Sequence, residues 1–169
     1  MTSAIYTASI PVFTQMLGGL NGVLAKADAH VAAKKLDPNA LLQARLFPDM
    51  FPMLRQVQVA SDFAKSVSAR LAGVQVPALA DSEQSFAELQ TRIATVLAFI
   101  SGLAPDLFND AGDREIITQA GTPKEKRFTG QSYLFNYGLP HFFFHTTTAY
   151  AVLRHNGVEV GKKDYIGSY

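Results

Sequence analysis

Apolar residues recur at alternating spacings of three and four along much of this chain, which is the pattern of helices with one buried face. The clearest stretch runs from Phe86 to Leu103 and predicts a helix near 82–104. Asp81, followed three residues later by Gln84, has the spacing of an N-terminal capping box. The pattern therefore indicates a helical protein.

Two further stretches in the N-terminal half show the same period. One predicts a helix near 49–72, with Pro48 and Pro52 in its first turn, where proline is tolerated. The other, nearer the N-terminus, predicts a helix that ends before Asp37; Pro11 marks either its start or a kink within it. Together with the helix near 82–104, these make three long helices.

A fourth helix is predicted over Gln131–His155, kinked or restarted at Pro140. The polar connection before it contains two short alternating segments, 115–119 and 127–129, separated by turn-forming residues, which predict a β-hairpin. The tail, 158–169, is too rich in glycine and lysine to predict a further helix. The predicted core draws on all four helices and comprises Phe13, Leu20, Val57, Val67, Leu89, Ile93, Val96, Phe142 and Val152.

Three consecutive phenylalanines, Phe142, Phe143 and Phe144, lie in the fourth helix. Successive helical residues are about 100° apart, so these rings spread over roughly 200° and cannot all face one core. At least one ring must be covered by a second subunit, by the hairpin or by the tail. We favour the second subunit and predict a homodimer.

Composition and charge narrow the function classes. The chain has 169 residues, 17% of them charged, with 15 Lys+Arg against 14 Asp+Glu, so we expect one globular domain over 1–169 and no nucleic-acid partner. The absence of cysteine excludes disulfides, a thiolate nucleophile and cysteine-based metal sites. No apolar run is long enough to span a membrane and no signal peptide is evident, so we expect a cytoplasmic protein without membrane association.

Two histidines are the best candidates for chemistry. His141 and His145 are four residues apart on the fourth helix, so their side chains share one face, about 6 Å apart at Cβ, and could hold one metal ion. Gln56 flanks the buried face of the helix near 49–72 and is the candidate third ligand, although zinc and nickel prefer imidazole or carboxylate to a neutral amide. The alternative is that both histidines are hydrogen-bonded inside the bundle.

Two segments, RLFPDMFPMLRQVQ and LPHFFFHTTTAYAVLRHNGVEVGKKDYIG, resemble a bacterial and fungal branch of the DinB/YfiT-like superfamily, known as a domain of unknown function. The resemblance implies an all-α, four-helix bundle of up-down-down-up topology, commonly dimeric, with a divalent metal between the second and fourth helices. Wider relatives include thiol-dependent S-transferases and isomerases that use such a metal. Carried over to this chain, two of the family's ligands match His141 and His145, while Gln56 stands near the position of the third histidine.

Two functional hypotheses follow. The first is a DinB-like protein that binds a small molecule or a metal at an incomplete histidine site, without catalysis. The alternative is a divalent-metal-dependent thiol S-transferase or hydrolase that uses His141 and His145 with zinc or nickel. In either case we expect Tyr133, Tyr137 and Arg154 to line the pocket.

Overall fold

The computed structural model describes residues 3–169 and is mostly helical, with one small sheet. The helices are α1 (Ala4–Lys34), α2 (Asn39–Leu42), α3 (Met53–Ala72), α4 (Phe86–Ser101), α5 (Gly130–Ser132), α6 (Leu139–His155) and α7 (Lys162–Ile166). A 3-10 turn covers Pro105–Phe108 and a π-helical segment covers Tyr133–Gly138. Strands β1 (Glu115–Thr118) and β2 (Lys126–Thr129) form an antiparallel pair. The predicted helical class and the predicted hairpin are confirmed.

The core lies between the four long helices. α3 packs against α6 and α4, and α1 packs against α4 and α7. Every residue of the predicted core is buried, including Phe13, Ile93 and Phe142 with no exposed surface. Within residues 3–169 no helix combines the length and apolarity needed to cross a membrane.

The predicted starts of two helices were wrong. α3 begins at Met53 because Pro52 is extended, at φ −65° and ψ 160°, so the predicted start at 49 lies outside the helix. α4 begins at Phe86 because Ser85 provides the cap, its hydroxyl accepting a 3.2 Å hydrogen bond from the Glu88 amide. The predicted cap, Asp81, instead pairs with arginine side chains, as described below.

The predicted fourth helix consists of three segments, because a π-helical turn separates α5 from α6. Pro140 lacks an N–H and its ring disfavours a regular α-turn over the preceding residues, so the turn before it widens. Gly138 permits close contact with α3, since a Cβ at this position would lie 2.8 Å from the Val67 side chain. The π segment is thereby held against α3.

The tail is partly helical, which corrects the prediction of no further helix. α7 is a single turn whose start is fixed by a 2.8 Å hydrogen bond from the Gly161 amide to Asp164. Asp164 also pairs with Lys26 of α1 at 2.7 Å. The two segments touch at Gly19, where a Cβ would lie 2.6 Å from the Tyr165 carbonyl oxygen.

Candidate functional site

The packing of α3 against α6 brings two of the predicted site residues into contact. His145 Nδ1 lies 2.7 Å from Gln56 Oε1, and both side chains are buried. His141, one turn earlier on α6, is exposed and lies flat on Phe63, with ring centroids 4.7 Å apart and planes 4° apart. His145 is therefore buried next to Gln56, as the sequence suggested, whereas His141 lies at the surface against Phe63.

The hydrogen bonds of Gln56 determine the tautomer of His145. The Gln56 amide nitrogen donates to the Phe51 carbonyl oxygen at 3.1 Å, so its Oε1 must be the acceptor toward His145. His145 Nδ1 therefore carries the proton, and its Nε2 carries the free lone pair. Gln56 orients the ring in this way.

Both histidines are neutral at pH 7. Burial, together with the charges of His141 and Arg55, lowers the pKa of His145 to about 4. Contact with Phe63 removes part of the His141 ring from water, and this partial burial also lowers its pKa. Nearby Lys126 lowers that pKa further. A protonated imidazole is disfavoured at both positions because desolvation and neighbouring cations act in the same direction.

A row of aromatic rings connects the histidines to the π segment. Tyr133 and Tyr137 stack at 5.6 Å, Tyr137 lies 4.5 Å from His141, and Phe63 closes the row on α3. The Lys126 ammonium group lies 5.6 Å from the Tyr137 ring centroid, within cation–π range. The π segment thus contributes two rings, Tyr133 and Tyr137, to a row that continues to His141 and Phe63.

Beside this aromatic row is a cavity of about 260 Å³ between α3, the π segment and the end of β1. Tyr133 and Tyr137, two of the residues that the sequence analysis assigned to a pocket, line this cavity, and so do Arg70 and Thr118, which it did not name. Arg154, the third predicted lining residue, lies exposed in the last turn of α6 and is not part of this wall. No signal in the sequence links Arg70 with Thr118, because only the docking of the hairpin brings them to one cavity.

Two polar groups of this wall have unused hydrogen-bonding capacity. Arg70 Nη1 donates to the Tyr133 hydroxyl at 3.1 Å, and burial raises the pKa of that hydroxyl so that it stays protonated. Within residues 3–169, Arg70 has no carboxylate partner, and the buried Thr118 Oγ1 has no hydrogen-bond partner. A buried hydroxyl without a partner is uncommon in folded proteins.

A buried ion network supports the other side of the cavity. Arg92 of α4 is almost fully buried and pairs with Asp62 and Asp81 at 2.9 and 3.0 Å and with Glu83 at 2.9 Å. Lys65 also pairs with Asp62 at 2.9 Å. Asp62 lines the cavity, and Lys65 and Arg92 together compensate its negative charge. The network links α3 and α4 to the segment between them.

The residues present do not suit a tightly bound divalent metal ion. Gln56 Oε1, the candidate third ligand, already accepts the His145 hydrogen bond. In the part of the chain that the structure describes, no three histidine, cysteine or acidic residues lie close enough to hold an ion together. Two neutral imidazoles without a carboxylate form a weak donor set, and we derive no chemistry through a metal.

Comparison with known proteins identifies the family. The family model described as "Domain of unknown function (DUF1993)" matches residues 5–166. The chain also resembles the crystal structure of a DinB family member protein from Shewanella denitrificans, with a TM-score of 0.90 and 43% sequence identity over 97% of this chain and 92% of that one. A search of curated proteins gave no match. The chain therefore belongs to the DUF1993 domain family and has a DinB-like fold.

Proposed function

We propose that this protein binds a small molecule in the cavity between α3, the π segment and the hairpin, without a resident metal ion. The observation that carries the proposal is the cavity itself, in which an aromatic wall meets polar groups from three separate elements. Small-molecule sites commonly combine an apolar, partly aromatic lining with a few converging polar groups. The volume of about 260 Å³ suits a ligand with one aromatic ring.

The deformation of the last helix supports this proposal. Single π-helical turns within α-helices are rare and are frequent at functional sites. Here the π turn carries both tyrosines of the cavity wall, Tyr133 and Tyr137. The irregular backbone therefore coincides with the cavity.

In this proposal the histidines support the wall of the site. His141 lies flat on the Phe63 ring, and Phe63 lines the cavity. His145 lies 6.0 Å from the same ring and is held by Gln56. The two histidines thus form a packed layer next to Phe63.

The alternative, a metal-dependent S-transferase or hydrolase that uses His141 and His145, has less support. Such an enzyme needs a firmly held ion with an open position for water or substrate, and Gln56 is engaged with His145. The low pKa of His145, about 4, also makes its imidazole a weak base near pH 7. We therefore favour binding without catalysis.

An NMR titration with benzamide, a neutral single-ring probe, tests the proposal. We expect amide signals of 115–119 and 130–138 to shift on titration, with a Kd on the order of 1 mM for so small a ligand. In Val59→Phe the added ring should occupy the cavity, since Val59 lies in its wall, and the shifts should disappear.

Val59→Ala is the matched control, because it changes the same position but leaves the cavity open. It should still bind benzamide. Circular dichroism should show the same helical content for both variants. Saturable shifts that persist in Val59→Phe, or that map to other segments, would show that the cavity is not the site.

A further inference from the structure

We propose that the ligand of this cavity is a small aromatic carboxylate whose anionic group binds Arg70. This inference rests on the proposed function, since it names the class of molecule that the cavity takes. It is carried by three groups from separate elements: Arg70 on α3, Thr118 at the end of β1 and Tyr133 in the π segment.

Arg70 supplies the charge. Only one of its guanidinium hydrogen bonds is used, the 3.1 Å bond from Nη1 to the Tyr133 hydroxyl, and among residues 3–169 no carboxylate lies within ion-pair distance of it. Tyr133, which accepts this hydrogen bond, is almost completely buried. A half-buried guanidinium with free N–H groups is suited to bind a carboxylate in a bidentate manner.

Thr118 supplies a neutral hydrogen-bond donor on the opposite element. Its side chain alternates inward with Ile116 along β1, so it faces the bundle. The hydroxyl is buried and unpaired in the described part of the chain. Leaving a buried hydroxyl unpaired costs free energy. The oxygen is shielded in the free protein, and a small rotation of the Thr118 side chain toward the cavity that it lines would let a ligand oxygen satisfy it.

The remaining charges at the cavity favour a single negative charge on the ligand. Arg55 is paired with Asp81, and Asp62 is paired with Lys65 and Arg92, so Arg70 is the cation of the wall whose charge is not compensated. Lys126, which lies over Tyr137, adds positive potential at the edge of the aromatic row. One uncompensated guanidinium is matched by one carboxylate, which can accept two parallel N–H···O hydrogen bonds from it.

The aromatic side chains that line the cavity favour a ligand that contains an aromatic ring. Phe63 and Tyr137 are partly exposed and line the cavity, and a flat ligand ring could stack on them in an offset or edge-on arrangement. The available volume of about 260 Å³ leaves little room beyond one substituted ring.

The test compares benzoate with benzamide, which has the same shape and no charge, by NMR titration of the full chain at pH 7. We expect benzoate to bind at least tenfold more tightly than benzamide. In Arg70→Gln this preference should fall to less than threefold, because the charge that distinguishes benzoate from benzamide at this wall is lost. Arg154→Gln, which removes the same charge at the exposed end of α6, should retain the full preference.

The outcomes separate this inference from the proposed function. Equal binding of benzoate and benzamide, or tighter binding of phenyl phosphate than of benzoate, would overturn the carboxylate assignment and leave the cavity as a binding site. Absence of binding by either single-ring probe would overturn the proposed function as well. A preference that survives in Arg70→Gln, with the variant folded by circular dichroism, would overturn the role of Arg70.

Discussion

At the scale of single residues, the most informative contact is the one between His145 and Gln56. The histidine pair and its glutamine neighbour could be identified from sequence spacing, because residues four apart share a helix face. Their relationship could not, because it depends on the second hydrogen bond of Gln56 to the Phe51 carbonyl oxygen. That bond fixes the glutamine as an acceptor and makes His145 a neutral, buried side chain.

The low pKa of His145 predicts a specific pH dependence of stability. The unfolded chain binds a proton at this histidine near the ordinary pKa of 6.5, whereas the native protein does so only near 4. Between these values the unfolded state holds more protons, so stability falls as the pH is lowered from about 7 to 4. We expect this residue to contribute a loss on the order of 2 kcal/mol over that range.

Urea unfolding of wild type and His145→Gln at several pH values measures this contribution. The wild type should lose more stability than the variant between pH 7 and 4, since glutamine does not titrate. His141→Gln is the matched control; because His141 is exposed, its substitution should alter the pH dependence less. Parallel curves for wild type and His145→Gln would contradict the buried, neutral assignment.

At the scale of elements, periodicity predicted the helices and the hairpin, but tertiary contacts determined where two helices begin. Asp81-x-x-Gln84 and Ser85-x-x-Glu88 both have the spacing of a capping motif. In the structure Ser85 caps α4. Asp81 is instead paired with Arg92, a residue of α4 whose side chain extends toward the N-terminal end of that helix. Such a competition between local motifs cannot be resolved from one sequence.

The Arg92 network should contribute strongly to stability. Its guanidinium is almost fully buried and pairs with three carboxylates, those of Asp62, Asp81 and Glu83. Burial by itself would raise the pKa of Glu83, but hydrogen bonds from Arg92 and Gln58 lower it overall. Arg92→Met would leave the carboxylates without this partner. Because Asp62 and Asp81 are 36% and 37% exposed, we expect a loss of about 1–3 kcal/mol in urea unfolding at pH 7.

Arg127→Met is the matched control for that measurement. Arg127 also forms two ion pairs, with Glu115 and Glu125, but its side chain is 60% exposed. Solvent screens exposed pairs of this kind, so Arg127→Met should lose clearly less stability than Arg92→Met. Similar losses for the two variants would show that burial is not the source of the contribution of Arg92.

At the scale of the whole molecule, the predicted division of the three phenylalanines is confirmed. Phe142 is fully buried, Phe143 is half-buried, and Phe144 is 54% exposed. The tail does not cover Phe144, because α7 packs against α1 and its Tyr165 contacts Thr147 and Tyr150 on α6. Phe144 lies edge-on to His145, while Phe51, also exposed, lies beside Gln56.

We propose that the exposed rings of Phe51 and Phe144 lie in the interface of a homodimer. Light scattering at micromolar concentration should give about twice the mass of the 18.3 kDa chain. Phe144→Lys should shift the equilibrium to monomer, because a charged side chain there is costly to bury. Ala94→Lys, at an exposed position of α4, should remain dimeric, and a monomeric wild type would contradict the proposal.

In the function that we propose for the whole molecule, the cavity is backed by neutral histidines and binds its ligand without a metal. The most direct test is benzamide titration of tag-free protein before and after treatment with a chelator. We predict the same Kd in both samples and less than about one tenth of a metal ion per chain by elemental analysis. Loss of benzamide binding on chelation, with recovery on adding one equivalent of zinc or nickel, would contradict this account.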